Sequence, residues 1–244
     1  MTNDVQAAAP TLPDPDIPYY NGIPQVITGK QWWLVMAAIV AGFAVVSFWG
    51  LGGAWGHWVP VIALPLIPLL ALRYVAPEHW TAIFRRVSLR DVLLMLGIWI
   101  LNVVVTVVVG WVLVKLVGAK DNPGADALAD ATMTEKVLFM VQAVPQLFGE
   151  ELLTILPLLA LMYYFHSRLQ WSRRTAMLTA WLVTALIFGA VHLPTYDWNV
   201  VQAVVGIGVV RLILTLGFLI TKNIWVSTGA HILNDWTIFG FALN

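Results

Sequence analysis

A chain of 244 residues that is 60% hydrophobic, 11% charged and of mean hydropathy +0.82 is poor in charge, where an ordinary soluble domain is about 25% charged. Its 13 basic and 13 acidic residues cancel, and no basic stretch is long enough to engage nucleic acid. The absence of cysteine excludes disulfides, thiolate nucleophiles and cysteine-held metals, leaving any metal to His, Asp and Glu.

Residues 1–30 differ in kind: rich in Pro and Asp, with Lys30 as the single basic residue and no apolar run. A secretory signal needs a basic start and an apolar core, so this stretch reads as a flexible N-terminal tail. Tyr19 and Tyr20 are expected to rest near the membrane surface or the protein body. A helix needs about 20 apolar residues to cross the hydrocarbon, and seven stretches qualify: 32–50, 58–75, 91–116, 134–165, 175–193, 199–220 and 224–243. The fourth contains Pro145 and Pro157, and a surface helix leading into a span there would raise the count to eight. The predicted fold is all-α, a multi-pass transmembrane helical bundle of about seven to eight spans. Trp32, Trp33, Trp55, Trp58, Trp171, Trp198 and Trp225 fall near predicted ends, as an aromatic belt requires.

Basic residues choose an orientation. Arg73, Arg85, Arg86 and Arg90 follow the second span, Arg168, Arg173 and Arg174 the fourth, and Lys222 the sixth. The alternate loops are neutral or acidic, with Asp121, Asp126, Asp130 and Glu135 between the third and fourth spans. Cytoplasmic loops carry the Lys/Arg excess, so the N-terminus is predicted inside the cell membrane and the C-terminus outside.

Residues 31–133 hold no buried charge away from span ends and read as scaffold. The unusual chemistry lies in 134–244. A charge at mid-bilayer costs about 2.5–3.5 kcal/mol on insertion scales and is usually functional. Glu150 and Glu151 lie in PQLFGEELLTILPLLAL, inside the fourth span. Neighbouring helical positions are about 100° apart, so one carboxylate can face a cavity and the other a neighbouring helix. Phe188 and His192, in FGAVH, share a face of the fifth span, as do His231 and Asp235, in GAHILND, on the last. An imidazole beside a carboxylate, with Asn234 adjacent, is either an oxyanion donor set or a pair of metal ligands. Arg211, within VVGIGVVRLILTLGF of the sixth span, requires a buried anion.

Glu-Glu on one span, Phe-x-x-x-His on the next and His-x-x-x-Asp on the last resembles the three-motif pattern of the CPBP intramembrane proteases. That family includes CAAX prenyl endopeptidases and bacteriocin-processing or self-immunity proteins, the abortive-infection group. The resemblance covers about residues 140–244, and TKNIWVSTGAHILND is similar to the family's last span beyond the motif itself. It implies that 134–244 is a catalytic helical core, with Glu150 the base that activates water and Glu151 its partner. His192 would assist, and His231 with Asp235 would stabilise the oxyanion. Asp235 can donate only if protonated; otherwise it orients His231, leaving the imidazole or Asn234 as donor. The family is described both as metal-dependent and as metal-free, so zinc on Glu150, His192 and His231 stays open, with no cofactor otherwise implied.

One departure stands out. The first motif usually reads Glu-Glu-x-x-x-Arg, whereas this chain has Ile155 at the arginine position. Arg211 is expected to supply the missing charge by pairing with Glu151. There is also a tension in depth: at 1.5 Å per residue, Glu150 and His192 lie roughly 22–25 Å from the inner span ends and His231 about 10 Å. A tilted or late-starting last span, or an interrupted fourth, would close that gap. The functional expectation is an intramembrane endopeptidase acting on a small peptide or membrane-protein substrate in contact with lipid. The alternatives are a non-catalytic immunity or scaffold protein, which Ile155 favours, and a transporter, against which the lack of a two-half repeat speaks.

Overall fold

The computed structural model describes residues 16–50, 56–120, 128 and 131–241. Trp55, Asp121, Asp126 and Asp130, singled out above, lie outside them. The described residues form an all-α bundle without a strand. Its helices are α1 (Gly29–Phe48), α2 (Trp58–Val75), α3 (Leu89–Val117), α4 (Met133–Tyr163), α5 (Arg173–Val191), α6 (Gly208–Thr221) and α7 (Ile224–Phe241). Short π-helical stretches, Tyr164–Arg168 and Val201–Ile207, extend α4 and lead into α6.

Local sequence explains where the helices begin. Thr28, Ser88 and Thr132 each cap a helix, and Gln31, Asp91 and Glu135 three residues on return the bond to the cap, which satisfies the first free amides. Ser172 caps α5 alone. α4 runs unbroken through Pro145 and Pro157, so the fourth stretch is one helix of about 46 Å rather than a surface helix and a span. Six helices are long and apolar enough to cross a membrane. The seventh expected span, α7, is not among them, because its polar group of His231, Asn234 and Asp235 lowers its hydropathy.

Packing sorts the helices. α3 is the least buried span and α4 the most. α3 turns Val104, Val107, Val108, Trp111 and Val114 outward, an apolar surface that only lipid or a partner could cover. On α4, Leu152, Ile155, Leu156, Leu158, Leu159 and Met162 form the centre of the main core with Leu72, Val75 and Ile83. Close contact between helices is made at glycines. A Cβ on Gly189 would lie 2.5 Å from the Ala203 carbonyl oxygen, and one on Gly217 2.9 Å from the Ser227 nitrogen, so only glycine lets these backbones meet.

The tail reading needs correction for its described part. Ile17, Tyr19, Tyr20 and Ile27 are buried in the main core. Tyr19 donates to the His79 carbonyl, Ser167 to the Tyr20 carbonyl at 2.6 Å and Gln25 to that of Val75 at 3.1 Å, while Arg173 pairs with Asp16. Burial of the two large aromatic rings works against the entropy of ordering this short segment. Trp32, expected in the interfacial belt, is instead buried with its ring edge-on to Tyr19. The segment thereby joins the α2–α3 and α4–α5 connections on one face. Asn223 brings the α6–α7 turn to that same face, exchanging hydrogen bonds with the Arg85 backbone at 3.2 Å.

Candidate active site

On the far side of Glu150 from the main core, the bundle encloses a cavity of about 600 Å³. Glu150 projects into it from α4, Phe188 and His192 from the end of α5, Arg211 from α6, and His231, Asn234 and Asp235 from α7. Every residue singled out from the motifs reaches this one cavity except Glu151, which lies behind it.

The adjacent glutamates diverge as helical geometry requires. Glu151 is fully buried and faces α6 and α7, where its Oε1 is held by both Arg211 and His231 Nδ1, the latter at 2.9 Å. Glu150 is partly exposed to the cavity and accepts a hydrogen bond from Gln146 Nε2 at 3.2 Å. His231 Nε2 stands 3.9 Å from Glu150 Oε2 and 3.8 Å from Asp235 Oδ1. One imidazole thus bridges the buried carboxylate and the cavity carboxylates. The expected pair of Arg211 with Glu151 is present. Ile155, at the usual arginine position, is buried in the apolar core, and the positive charge arrives from α6 instead.

Phe188 sits between two site residues. The Arg211 guanidinium lies over its ring at 4.5 Å, and its ring centroid is 4.6 Å from that of His192. His192 caps α5, and its Nδ1 bonds to the Phe188 carbonyl at 2.7 Å. A carbonyl only accepts, so Nδ1 carries a proton, and it is Nε2 that is left for other partners.

The tension in depth is resolved by a late start of α7. Trp225, in its first turn, stacks on Phe148 at 5.2 Å between centroids, less than one turn from Glu151. α4 continues 15 residues past Phe148 to Tyr163, about 22 Å. Distances counted from helix ends therefore overstated the separation.

Among the described residues, no three His, Asp or Glu side chains are grouped to hold a metal ion.

Some wall residues were not anticipated. Gln142 and Gln146 precede Glu150 by eight and four residues on the same face of α4, a polar row that helical spacing could have revealed. His57 and Thr106 line the cavity from the part read as scaffold. Nothing in their local sequence announces this.

Residues 133–237 match the family model of the type II CAAX prenyl endopeptidases, Rce1-like. No curated protein and no solved structure matches the chain.

Proposed function

Residues 133–237 belong to the Rce1-like type II CAAX prenyl endopeptidase family, and from that premise we propose a glutamate-based peptide hydrolysis centred on Glu150. The observation that carries this reading is the division of labour between the two glutamates. Glu151 is sealed in an ion pair, while Glu150 faces the cavity with Gln146 as its one hydrogen-bond donor among the described residues.

Glu150 accepts a proton from a cavity water as the water oxygen bonds to the scissile carbonyl carbon. The lone pair on His192 Nε2 orients that water. The carbonyl oxygen becomes an oxyanion beside His231, whose Nδ1 is engaged by Glu151 and whose Nε2 faces the reacting centre. Carrying a proton on both nitrogens, His231 donates Nε2–H to that oxygen. Collapse of the tetrahedral intermediate breaks the carbon–nitrogen bond, and Glu150 returns its proton to the leaving amine. Asp235 accepts from Asn234 Nδ2 at 3.0 Å, and in this reading it is a carboxylate that orients His231.

The substrate is a peptide or membrane-protein segment entering from the lipid, and the protein resides in the cell membrane with its N-terminus inside. The grouping of the N-terminal segment with the Arg85, Arg173 and Lys222 regions on one face supports this orientation. The non-catalytic reading leaned on Ile155, and the Arg211–Glu151 pair weakens that ground.

The test is Glu150→Gln in the full chain, assayed in liposomes against a library of quenched peptides that includes farnesylated Cys-a-a-X sequences. Cleavage is expected to fall at least 1,000-fold, on the order of the loss of an essential base, with the membrane level unchanged. Undiminished cleavage in the variant removes Glu150 as the base. Cleavage that stops in the wild type on adding a chelator removes the metal-free reading.

A further inference from the structure

α3 lies outside the family match and was read as scaffold, yet besides Thr106 at the cavity wall it carries a polar side chain that reaches the site through α7. Asn102 is completely buried in the run IWILNVVVTVVV, which is apolar but for it and Thr106. Its Nδ2 donates to Asn234 Oδ1 at 3.0 Å. Asn234 Nδ2 in turn donates to Asp235 Oδ1 at 3.0 Å, and that oxygen stands 3.8 Å from His231 Nε2. An unbroken file of polar groups thus runs from α3 to the imidazole at the cavity.

We propose that Asn102 is a positioning residue for the hydrolysis, acting through Asn234 to hold Asp235 and His231. The argument is one of donors and acceptors. A carboxamide has a donor end and an acceptor end, whereas a carboxylate only accepts. Asn234 serves Asp235 only with its NH₂ turned toward it, which leaves Oδ1 facing α3. Asn102 is the group that satisfies that oxygen. Turned over, Asn234 would bring Oδ1 against a carboxylate oxygen at about 3 Å, acceptor against acceptor. Simple adhesion between α3 and α7 does not require Asn102. Three residues away, Trp99 Nε1 already donates to Thr237 Oγ1 at 3.0 Å, and Thr237 is itself anchored to the Leu233 carbonyl at 2.7 Å. Asn102 Oδ1 has no partner among the described residues, so the residue carries a polar cost in the bilayer.

This inference rests on the endopeptidase reading, and two independent measurements separate their fates. The first is a kinetic cycle in the full chain, using a quenched farnesylated Cys-a-a-X peptide in liposomes. Asn102→Leu should lower kcat about tenfold or more with KM within about twofold, and should lower it no further in an Asn234→Ala background. Asn102→Asp, equal in shape but unable to donate when ionised, should be at least as damaging. Asn102→Ala, which adds no bulk at the α3–α7 contact, carries the same expectation as Asn102→Leu. Equal losses with and without Asn234 would overturn the proposal. The second measurement needs no turnover: the side-chain amide resonances of ¹⁵N-asparagine-labelled protein in micelles. The Asn234 NH₂ pair should shift in both Asp235→Asn and Asn102→Ala. If the wild type cleaves nothing, the endopeptidase reading fails, while an Asn234 pair unmoved by Asn102→Ala overturns the positioning role on its own.

Discussion

Arg211 and Glu151 form an ion pair with neither side chain exposed to solvent. The pair joins α4 to α6, and through His231 Nδ1 it also fixes α7. An arginine at 155 would have met Glu151 from the same helix, one turn away. Drawn from α6 instead, the charge ties three helices together and also lies over the ring of Phe188.

Removing one partner leaves the other as an uncompensated buried charge. Arg211→Met is expected to destabilise the protein by about 3–5 kcal/mol, and combining it with Glu151→Gln should recover most of that loss. Thermal unfolding of the two variants in detergent measures both.

Gln146 is the only hydrogen-bond donor to Glu150 among the described residues. Gln146→Leu leaves the base free to rotate, so kcat should fall about tenfold. Stability should change by less than about 1 kcal/mol, because Glu150 still meets cavity water. Steady-state kinetics and melting curves on the same preparation separate the two effects.

Phe188 supports Arg211 on one side and His192 on the other. Phe188→Leu keeps apolar bulk and removes the ring face, which should cost about 1 to 2 kcal/mol and lower kcat more than it raises KM. Loss confined to KM would mean that the ring only lines the substrate cavity.

Gly189 allows α5 to touch the Val201–Ile207 stretch. A Cβ there would also stand 2.8 Å from Val204 Cα, backbone that cannot turn aside. Gly189→Ala is expected to destabilise by about 1–3 kcal/mol, and to lower activity by displacing His192 three residues on. Thermal melts and cleavage rates report the two consequences.

The N-terminal segment should carry a pH dependence. Burial acts to raise the Asp16 carboxyl, but hydrogen bonds from Arg173, Tyr20 and the Ile17 amide outweigh it and hold the group below its ordinary value of 3.8. A folded value below the unfolded one contributes stability above the unfolded value, and that contribution is lost as pH falls through the folded value. Proteolysis of the segment by an acid-active protease should therefore accelerate below about pH 4, and Asp16→Asn should abolish that step.

Several features were legible because membrane physics admits few solutions. Long apolar runs must be helices, and ionisable residues within them must turn inward. Glu150, Glu151, His192, Arg211, His231 and Asp235 were therefore identifiable one by one, and the Arg211–Glu151 pair followed from leaving no buried charge alone. Depth was misjudged because residue counts from helix ends assume that helices end level, whereas α7 starts beside Phe148. Tyr19 and Tyr20 were expected at the membrane surface or the protein body, and their full burial was not legible because Pro and Asp dominate the composition there, while two rings supply the burial.

The sequence by itself determined the helical class, the spans and the residues that the bilayer would not tolerate without partners, since hydropathy and helical period act within one segment. Only the tertiary structure decided which partner each residue has. Ion pairs, stacked rings and the Asn102–Asn234–Asp235 file join segments as much as 157 residues apart, and such distances depend on how helices tilt, start and cross. The arginine absent at Ile155 and present at Arg211 unites the two: one segment records the loss, and only the assembled bundle places its replacement.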